Sequence, residues 1–257
     1  MSRPLRVMSF NIRFGLAMDP LNRWGLRRDA VVETIRSAAP DTAGLQEVLW
    51  FQLWHLRRSL RQFASVGRGR RTFGRGEQTP VLARRDRFGF ERHGHFWLSE
   101  RPSVVGSIGW DATVARMCTW AVLSDRAAGR RFAVLNTHFD HRGPTAREQS
   151  ARLLVGRLAQ FEGLPVILTG DLNADEDSPT LDVLRGAGLR DTFRVARPEA
   201  QEAGTFHKFT GKARPAKIDY VMCDSSWTVL SADILREPVG GRWPSDHFPV
   251  VAELALR

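Results

Sequence analysis

Lysine is nearly missing from this chain of 257 residues: Lys208, Lys212 and Lys217 are the only three among 38 basic residues, and the rest are arginine. So lopsided a ratio is also what codon bias produces, which lowers the weight of any single arginine cluster. Cysteine is almost as scarce. Cys118 and Cys223 lie far apart in apolar runs, which excludes a disulfide scaffold or a cysteine-rich zinc site and implies buried free thiols in a reducing compartment. No apolar run approaches the roughly 18 residues needed to cross a bilayer. From Met1 the chain passes directly into the strand-like Leu5–Phe10, without an apolar export segment or cleavage site. A cytoplasmic location without a membrane span follows as the expectation. There is no GxxxxGK[ST] phosphate loop, no serine or cysteine nucleophile motif, no internal repeat and no linker-like stretch.

What is present is ordinary in amount and unusual in charge. A 42% hydrophobic and 26% charged composition suits a soluble globular protein, but a net charge of +10 does not. It points to a polyanionic partner or substrate such as nucleic acid, a phosphorylated metabolite or an anionic surface. Strand-like runs at Leu5–Phe10, Thr42–Leu45, Pro80–Arg84, Gly89–Leu98, Thr113–Ser124 and Arg131–Phe139 intermix with helical spacing over 27–38, 48–60 and 144–161. Val166–Leu168, Ile218–Met222, Thr228–Leu235 and Phe248–Leu254 complete the strands, and Ser178-Pro179 starts a short helix. Such alternation describes one mixed α/β domain over residues 1–257.

The polar residues fall at strand ends. Asn11 follows Val7–Phe10, Glu47 follows Ala43–Leu45, and His138 and Asp140 follow Val134–Leu135. Asp171 and Asn173 follow Val166–Leu168; Asp219 begins one strand and Asp246-His247 precede another. On an extended backbone, residues i and i+2 point the same way, so a break at Gly170 would present Asp171 and Asn173 together. Each has a plainer reading alone: a turn starter at Asp171, a helix cap at Glu47, a satisfied core histidine at His138. Asp171-x-Asn173-x-Asp175 also imitates a calcium loop, but Glu176 stands where that loop needs glycine and Asp182 where it needs glutamate. Six such coincidences are better explained by one cleft at a shared sheet edge. Oxygen donors without cysteine favour Mg²⁺ or Mn²⁺, and a histidine paired with a carboxylate suits acid–base work. Together with the basic surface, these predict hydrolysis of a phosphate ester.

Ser9-Phe-Asn-Ile, Leu45-Gln-Glu-Val, Asn136-Thr-His-Phe-Asp, Thr169-Gly-Asp-Leu-Asn, Lys217-Ile-Asp-Tyr-Val and Ser245-Asp-His-Phe-Pro resemble, in order, the motifs of the endonuclease/exonuclease/phosphatase superfamily. The resemblance implies a four-layered α/β sandwich, two mixed β-sheets packed face to face with helices outside. It implies Glu47 as principal Mg²⁺ (or Mn²⁺) ligand, supported by Asn11 and Asp246. Asp171 and Asn173 would orient or deprotonate the attacking water. His247, paired with Asp219, would serve as general base or contact the scissile phosphate, and His138 would stabilise its oxygens or act as an acid. Glu77 falls where deoxyribonuclease-like members carry a glutamate that pairs with this histidine. AP endonucleases have a tyrosine-containing stretch where this chain has Asn136-Thr-His138, and the single tyrosine, Tyr220, lies elsewhere. Trp97-Leu-Ser-Glu, Gly109-Trp-Asp-Ala, Arg116 with Thr119-Trp120, and Gly204-Thr-Phe-His resemble a bacterial branch of largely unassigned substrate.

Arg116 and Asp140 are the candidate substrate contacts, with a surface position the alternative for Arg116. The first functional expectation is a metal-dependent phosphodiesterase acting on nucleic acid, in which Arg68, Arg70, Arg71 and Arg75 neutralise phosphates. The second is a phosphatase or phosphodiesterase for a sugar phosphate, an inositol phosphate or a sphingomyelin-like headgroup. The third is a binding protein that kept the fold, against which the full set of site residues argues. Nothing in the sequence points to a protein partner.

Overall fold

The computed structural model describes residues 3–126 and 128–257; Met1 and Ser2, where the search for an export segment begins, and Ala127 lie outside them. Among the described residues, twelve strands form two six-stranded sheets. The first runs β11 (Trp227–Ile234), β12 (Val250–Leu256), β1 (Leu5–Asn11), β2 (Thr42–Gln46), β4 (Val81–Arg84), β3 (Phe63–Val66). The second runs β5 (Phe88–Trp97), β6 (Met117–Asp125), β7 (Arg130–His138), β8 (Val166–Asp171), β10 (Asp219–Cys223), β9 (Arg190–Asp191). Each sheet is mixed: β1 pairs parallel with β2 and β7 with β8, while their other neighbours are antiparallel.

Side-chain alternation builds the layers. Val7, Val134, Ile167, Val221 and Val250 point between the sheets into a shared core. Met8, Phe10 and Leu45 point outward, onto α1 (Trp24–Ala38) and α2 (Trp50–Ser59). Leu135, Leu168 and Met222 likewise meet α3 (Pro144–Leu158) and α4 (Pro179–Gly186). Because both faces of these strands are covered, they read as continuous apolar runs rather than as alternating ones. The result is the expected helix–sheet–sheet–helix sandwich.

Several boundaries differ from the sequence reading. β8 runs through Gly170 instead of breaking there; that glycine lies so close to Thr137 that an added Cβ would stand 2.8 Å from its carbonyl oxygen. β6 starts at Met117, four residues late, and pairs antiparallel with β7 as a hairpin. The short β3, β9 and α5 (Thr192–Ala196) carried too weak a period to be seen. Pro144 opens α3, and the Ser178 side chain accepts from the backbone N–H of Leu181 at α4. Both cysteines are free and buried. Among the described residues no helix is long and apolar enough to cross a membrane.

Beneath the cleft described below, a polar bridge ties the sheets together. Gln46 Nε2 donates to Asn136 Oδ1 (2.7 Å), and Asn136 Nδ2 donates to the carbonyls of Leu45 (2.8 Å) and Pro80 (3.0 Å). Gly44 permits this approach: a Cβ there would stand 2.0 Å from Thr169 Oγ1.

Candidate active site

Strand register gathers the site. His138 ends β7 opposite Asp171, and Asp171 ends β8 opposite Asp219 at the start of β10. On the facing sheet, Asn11 ends β1 opposite Gln46, and Glu47 follows immediately. The loop before β12 carries Asp246 and His247, held by the Ser245 hydroxyl donating to the Asn11 carbonyl (2.6 Å). These strand ends enclose a cleft of about 630 Å³.

Glu47, Glu77, Arg116, His138, Asp171, Asn173 and His247 line the cleft. Asn11, Asp219 and Asp246 stand behind that wall, each bonded to a lining residue. Asn11 Nδ2 donates to Asp171 Oδ2 (2.9 Å) and Glu47 Oε1 (3.2 Å). Asp219 Oδ2 meets His247 Nδ1 at 2.8 Å, the expected pair. Asp246 Oδ2 lies 3.3 Å from Arg13 Nη1. Two lining residues, Glu47 (φ 62°) and Asn173 (φ 47°), hold left-handed backbone conformations that cost a non-glycine residue about 1 kcal/mol or more. Such strain persists where the surroundings enforce it: Glu47 accepts from the Phe14 N–H, and Asn173 donates its N–H to Asp171 Oδ1 (3.0 Å) and its amide to the Phe139 carbonyl (3.1 Å).

Four assignments change. Asp171 and Asn173 do not project by strand alternation; Asn173 folds back over Asp171, so the turn reading and the site reading hold together. Asn11 turns Oδ1 to the Arg13 N–H (2.9 Å) and presents its amide nitrogen to the Asp171 and Glu47 carboxylates, so it ties these two acids together. Glu77 grips Arg70 with both oxygens (2.7 and 3.0 Å) instead of pairing with His138. Asp140 accepts from Thr113 N and Oγ1, Arg142 N and Gly143 N, so its carboxylate organises a loop and has no capacity left for substrate. Arg116, by contrast, is no surface residue. It is 5% exposed and lines the cleft, and its Nε and Nη1 have no hydrogen-bond partner.

Electrostatics divide the site. Burial, reinforced by the Asp219 charge, pushes the Asp171 carboxyl up to about 7. Burial works to lower His247, but the carboxylates of Asp219 and Asp171 outweigh it and raise the imidazole to about 10. A protonated His247 donates, which fits a phosphate contact better than a general base. His138 goes the other way: burial, then Arg116 and Arg70, hold it well below the usual range, so it is neutral. Its Nε2 faces Asp171 Oδ2 at 3.4 Å and its Nδ1 has no partner.

Arg13, Phe14, Arg70, His141, Phe206 and Arg214 also line the cleft, and reasoning from strand ends missed their placement there. Most sit in loops, where no periodicity announces direction. Arg27 was missed too: buried in α1, it donates to the carbonyls of Ile12, Arg13, Asn22 and Pro244 and clamps the loops that carry Arg13 and Asp246.

Asp171, Asp219 and His247 offer ligand atoms within 4.8 Å of one another, and Asp219 Oδ1 is buried without a partner. The buried Asp171 carboxyl, raised by burial and by the neighbouring Asp219 charge, with a free Asp219 oxygen beside it, fits a divalent cation held by carboxylates, the protonated His247 not being a ligand.

The sequence pattern of the Endonuclease/Exonuclease/phosphatase family matches residues 8–247. No curated protein matches the chain. Among solved structures, a family protein from Bacteroides vulgatus is 34% identical with a TM-score of 0.92, covering 100% of both chains. A second, from Bacteroides thetaiotaomicron, is 30% identical with a TM-score of 0.91 and the same coverage. A mannosyl-6-phosphatase from Bacteroides thetaiotaomicron is 31% identical with a TM-score of 0.89, covering 98% of this chain and 100% of that one. With its motifs on the strand ends that enclose one cleft, the chain belongs to the Endonuclease/Exonuclease/phosphatase family, whose members are phosphoester hydrolases.

Proposed function

We propose that this protein hydrolyses a phosphoester by direct attack of water, as a single catalytic domain that uses Mg²⁺ or Mn²⁺. The observation that carries the reading is the row His138–Asp171–Asp219–His247, with the 2.8 Å Asp219–His247 pair at one end and Asp171 Oδ2 facing both histidines. Glu47, tied to Asp171 through Asn11, and Asp246 would hold the cation, which when bound would neutralise phosphoryl oxygens and acidify water. Asp171, positioned by Asn11 and Asn173, accepts a proton from the water. The water oxygen bonds to phosphorus, the bond from phosphorus to the leaving oxygen breaks, and the proton ends on that oxygen, giving an alcohol and phosphate. His247 and His138 donate to the non-bridging oxygens.

Two observations favour a small phosphorylated molecule, such as a sugar phosphate, over a nucleic acid. The arginine loop does not form a continuous phosphate track: Arg70 is buried against Glu77, Arg68 packs on Trp97 and His95, and Arg71 and Arg75 alone are exposed. The mannosyl-6-phosphatase relative supports the same class. The net charge of +10 keeps the nuclease reading as the second.

The test is a panel of DNA, RNA, sugar phosphates and p-nitrophenyl esters, with added metal or chelator. Asp171→Ala and His247→Ala should each lower turnover by about 10³-fold while preserving the fold. Polymer cleavage that falls steeply with salt would restore the nuclease reading; activity that survives in both variants would sink the site.

A further inference from the structure

The Asp219–His247 pair joins two layers that no strand ladder connects. Asp219 begins β10 of one sheet, and His247 lies in the loop that leads into β12 of the other. Neither sheet's register therefore fixes the 2.8 Å between them. The segment Gly204-Thr-Phe-His207 touches both partners.

Its hold on the His247 loop is backbone to backbone. Phe206 and His247 form an antiparallel bridge, in which the Phe248 N–H donates to the Thr205 carbonyl (2.8 Å) and the His207 N–H to the Asp246 carbonyl (2.8 Å). Its hold on β10 is one side chain. β9 pairs with β10 only at Met222 and Cys223, so beside Asp219 that edge of β10 has no strand. The Thr205 hydroxyl stands there instead and accepts from the N–H groups of Ile218 (3.1 Å) and Asp219 (3.2 Å). A hydroxyl oxygen has two lone pairs, so both bonds form at once. The segment is also pressed onto the chain that leads to β10. The Arg214 N–H donates to the Phe206 carbonyl (2.8 Å), and a Cβ on Gly204 would stand 1.7 Å from the Arg214 carbonyl oxygen. Thr205 itself is fully buried and lies outside the cleft lining.

We infer that Thr205 is a positioning residue, which holds Asp219 against His247 across the two sheets and so aims the imidazole into the cleft. Without the hydroxyl, two buried N–H groups lose their acceptor, a cost that the start of β10 relieves by shifting, and Asp219 shifts with it. Displacement of a reacting group by about 1 Å is enough to lower turnover up to about 100-fold. Groups that orient a functional side chain from behind matter for this reason. The inference rests on the phosphoesterase reading and adds a residue that never meets the substrate.

The test compares wild type, Thr205→Val and Thr205→Ser, each shown to fold by thermal melt. Valine keeps the shape of threonine and loses the acceptor; serine keeps the acceptor. With p-nitrophenyl phosphate and Mg²⁺, Val should lower kcat about tenfold at nearly unchanged KM, and Ser should stay within about twofold of wild type. A second readout needs no turnover. The proton NMR resonance of His247 Nδ1–H bonded to Asp219 should be present in wild type and Ser, and should move upfield or broaden away in Val. If Val does not fold, Thr205→Ala, which leaves room for a water at the two N–H groups, takes its place. Wild-type kcat in Val, equal losses in Val and Ser, a loss confined to KM, or an unchanged resonance in Val would each overturn the inference. If wild type turns over no ester, the hydrolase reading falls, and the resonance alone decides whether Thr205 positions the pair.

Discussion

The two ends of the sandwich both bury ionised side chains, and they pair them differently. At the starts of β1 and β2, away from the cleft, Asp41 accepts from Arg3 (2.9 Å), Arg87 (2.8 Å) and the Arg6 N–H (2.9 Å). Arg87 in turn reaches Asp125 (2.9 Å) and the carbonyls of Pro4 and Arg3. Asp125 and Arg130 face each other at the turn end of the β6–β7 hairpin, whereas His138 and Asp171 mark the opposite strand ends. In the cleft, donors and acceptors on Arg116, His138 and Asp219 are buried without partners. Unpartnered buried atoms also occur away from the cleft, at Arg6 Nε and Trp227 Nε1. What marks the functional end is that its unpartnered groups are an acid, a guanidinium and an imidazole gathered at one cleft.

That contrast breaks most visibly at Asp41. Asp41→Ala leaves Arg87 buried with one carboxylate fewer and should cost about 3 kcal/mol in denaturant unfolding. Turnover should stay at the wild-type level; a matching loss of activity would mean that the two ends are not independent. Asp140 sits at the boundary, a closed cluster that shapes the loop beside Arg116. Asp140→Asn should cost about 2 kcal/mol at neutral pH, because several donors lose a charged acceptor. Its acid behaviour follows from linkage. Burial works to raise the Asp140 carboxyl, but the N–H groups of Gly143, Arg142 and Thr113, with the Arg116 charge, bring it down from 3.8 to about 2. A folded pKa below the unfolded one stabilises fully above 3.8, and that contribution disappears as pH falls through about 2. Unfolding curves across this window should flatten in the Asn variant; an unchanged acid limb would refute the assignment. The smallest effect is at Arg116, whose Nε lies 3.7 Å from Asp140 Oδ2. Arg116→Met leaves that buried carboxylate with less positive charge beside it and should cost about 1 kcal/mol in denaturant unfolding. An unchanged midpoint would show that the backbone donors alone hold Asp140.

Legibility followed the kind of physics involved. β1, β2, β7 and β8 were visible because strands covered on both faces leave unbroken apolar runs, and α3 because Gly143-Pro144 opens an amphipathic stretch. The polar residues at the ends of those strands were visible for the same reason, since a charge that terminates an apolar run stands out. The hydrogen-bond partners of Asn11 and Asp140 were not legible because residue type says what a side chain is able to bond, not which neighbour reaches it first. For Asn11 that neighbour is the Arg13 N–H; for Asp140 it is a ring of backbone donors. Arg70 and Arg116 were ambiguous against so many other arginines, and only burial separated them from the exposed Arg71 and Arg75.

By itself the sequence showed one mixed α/β domain and the strand-end acids and histidines, and its ordered motifs carried the family resemblance that implied the layers. Periodicity and ordered motifs are local properties, repeated often enough along the chain to be read without the fold. The tertiary structure alone decided that His247 is held as a cation by two carboxylates, that Glu77 belongs to Arg70, and that Arg116 is buried with donors to spare. Those outcomes depend on distances of a few ångströms between residues far apart in the chain and on how completely water is excluded from them. Neither quantity is written in the order of the amino acids.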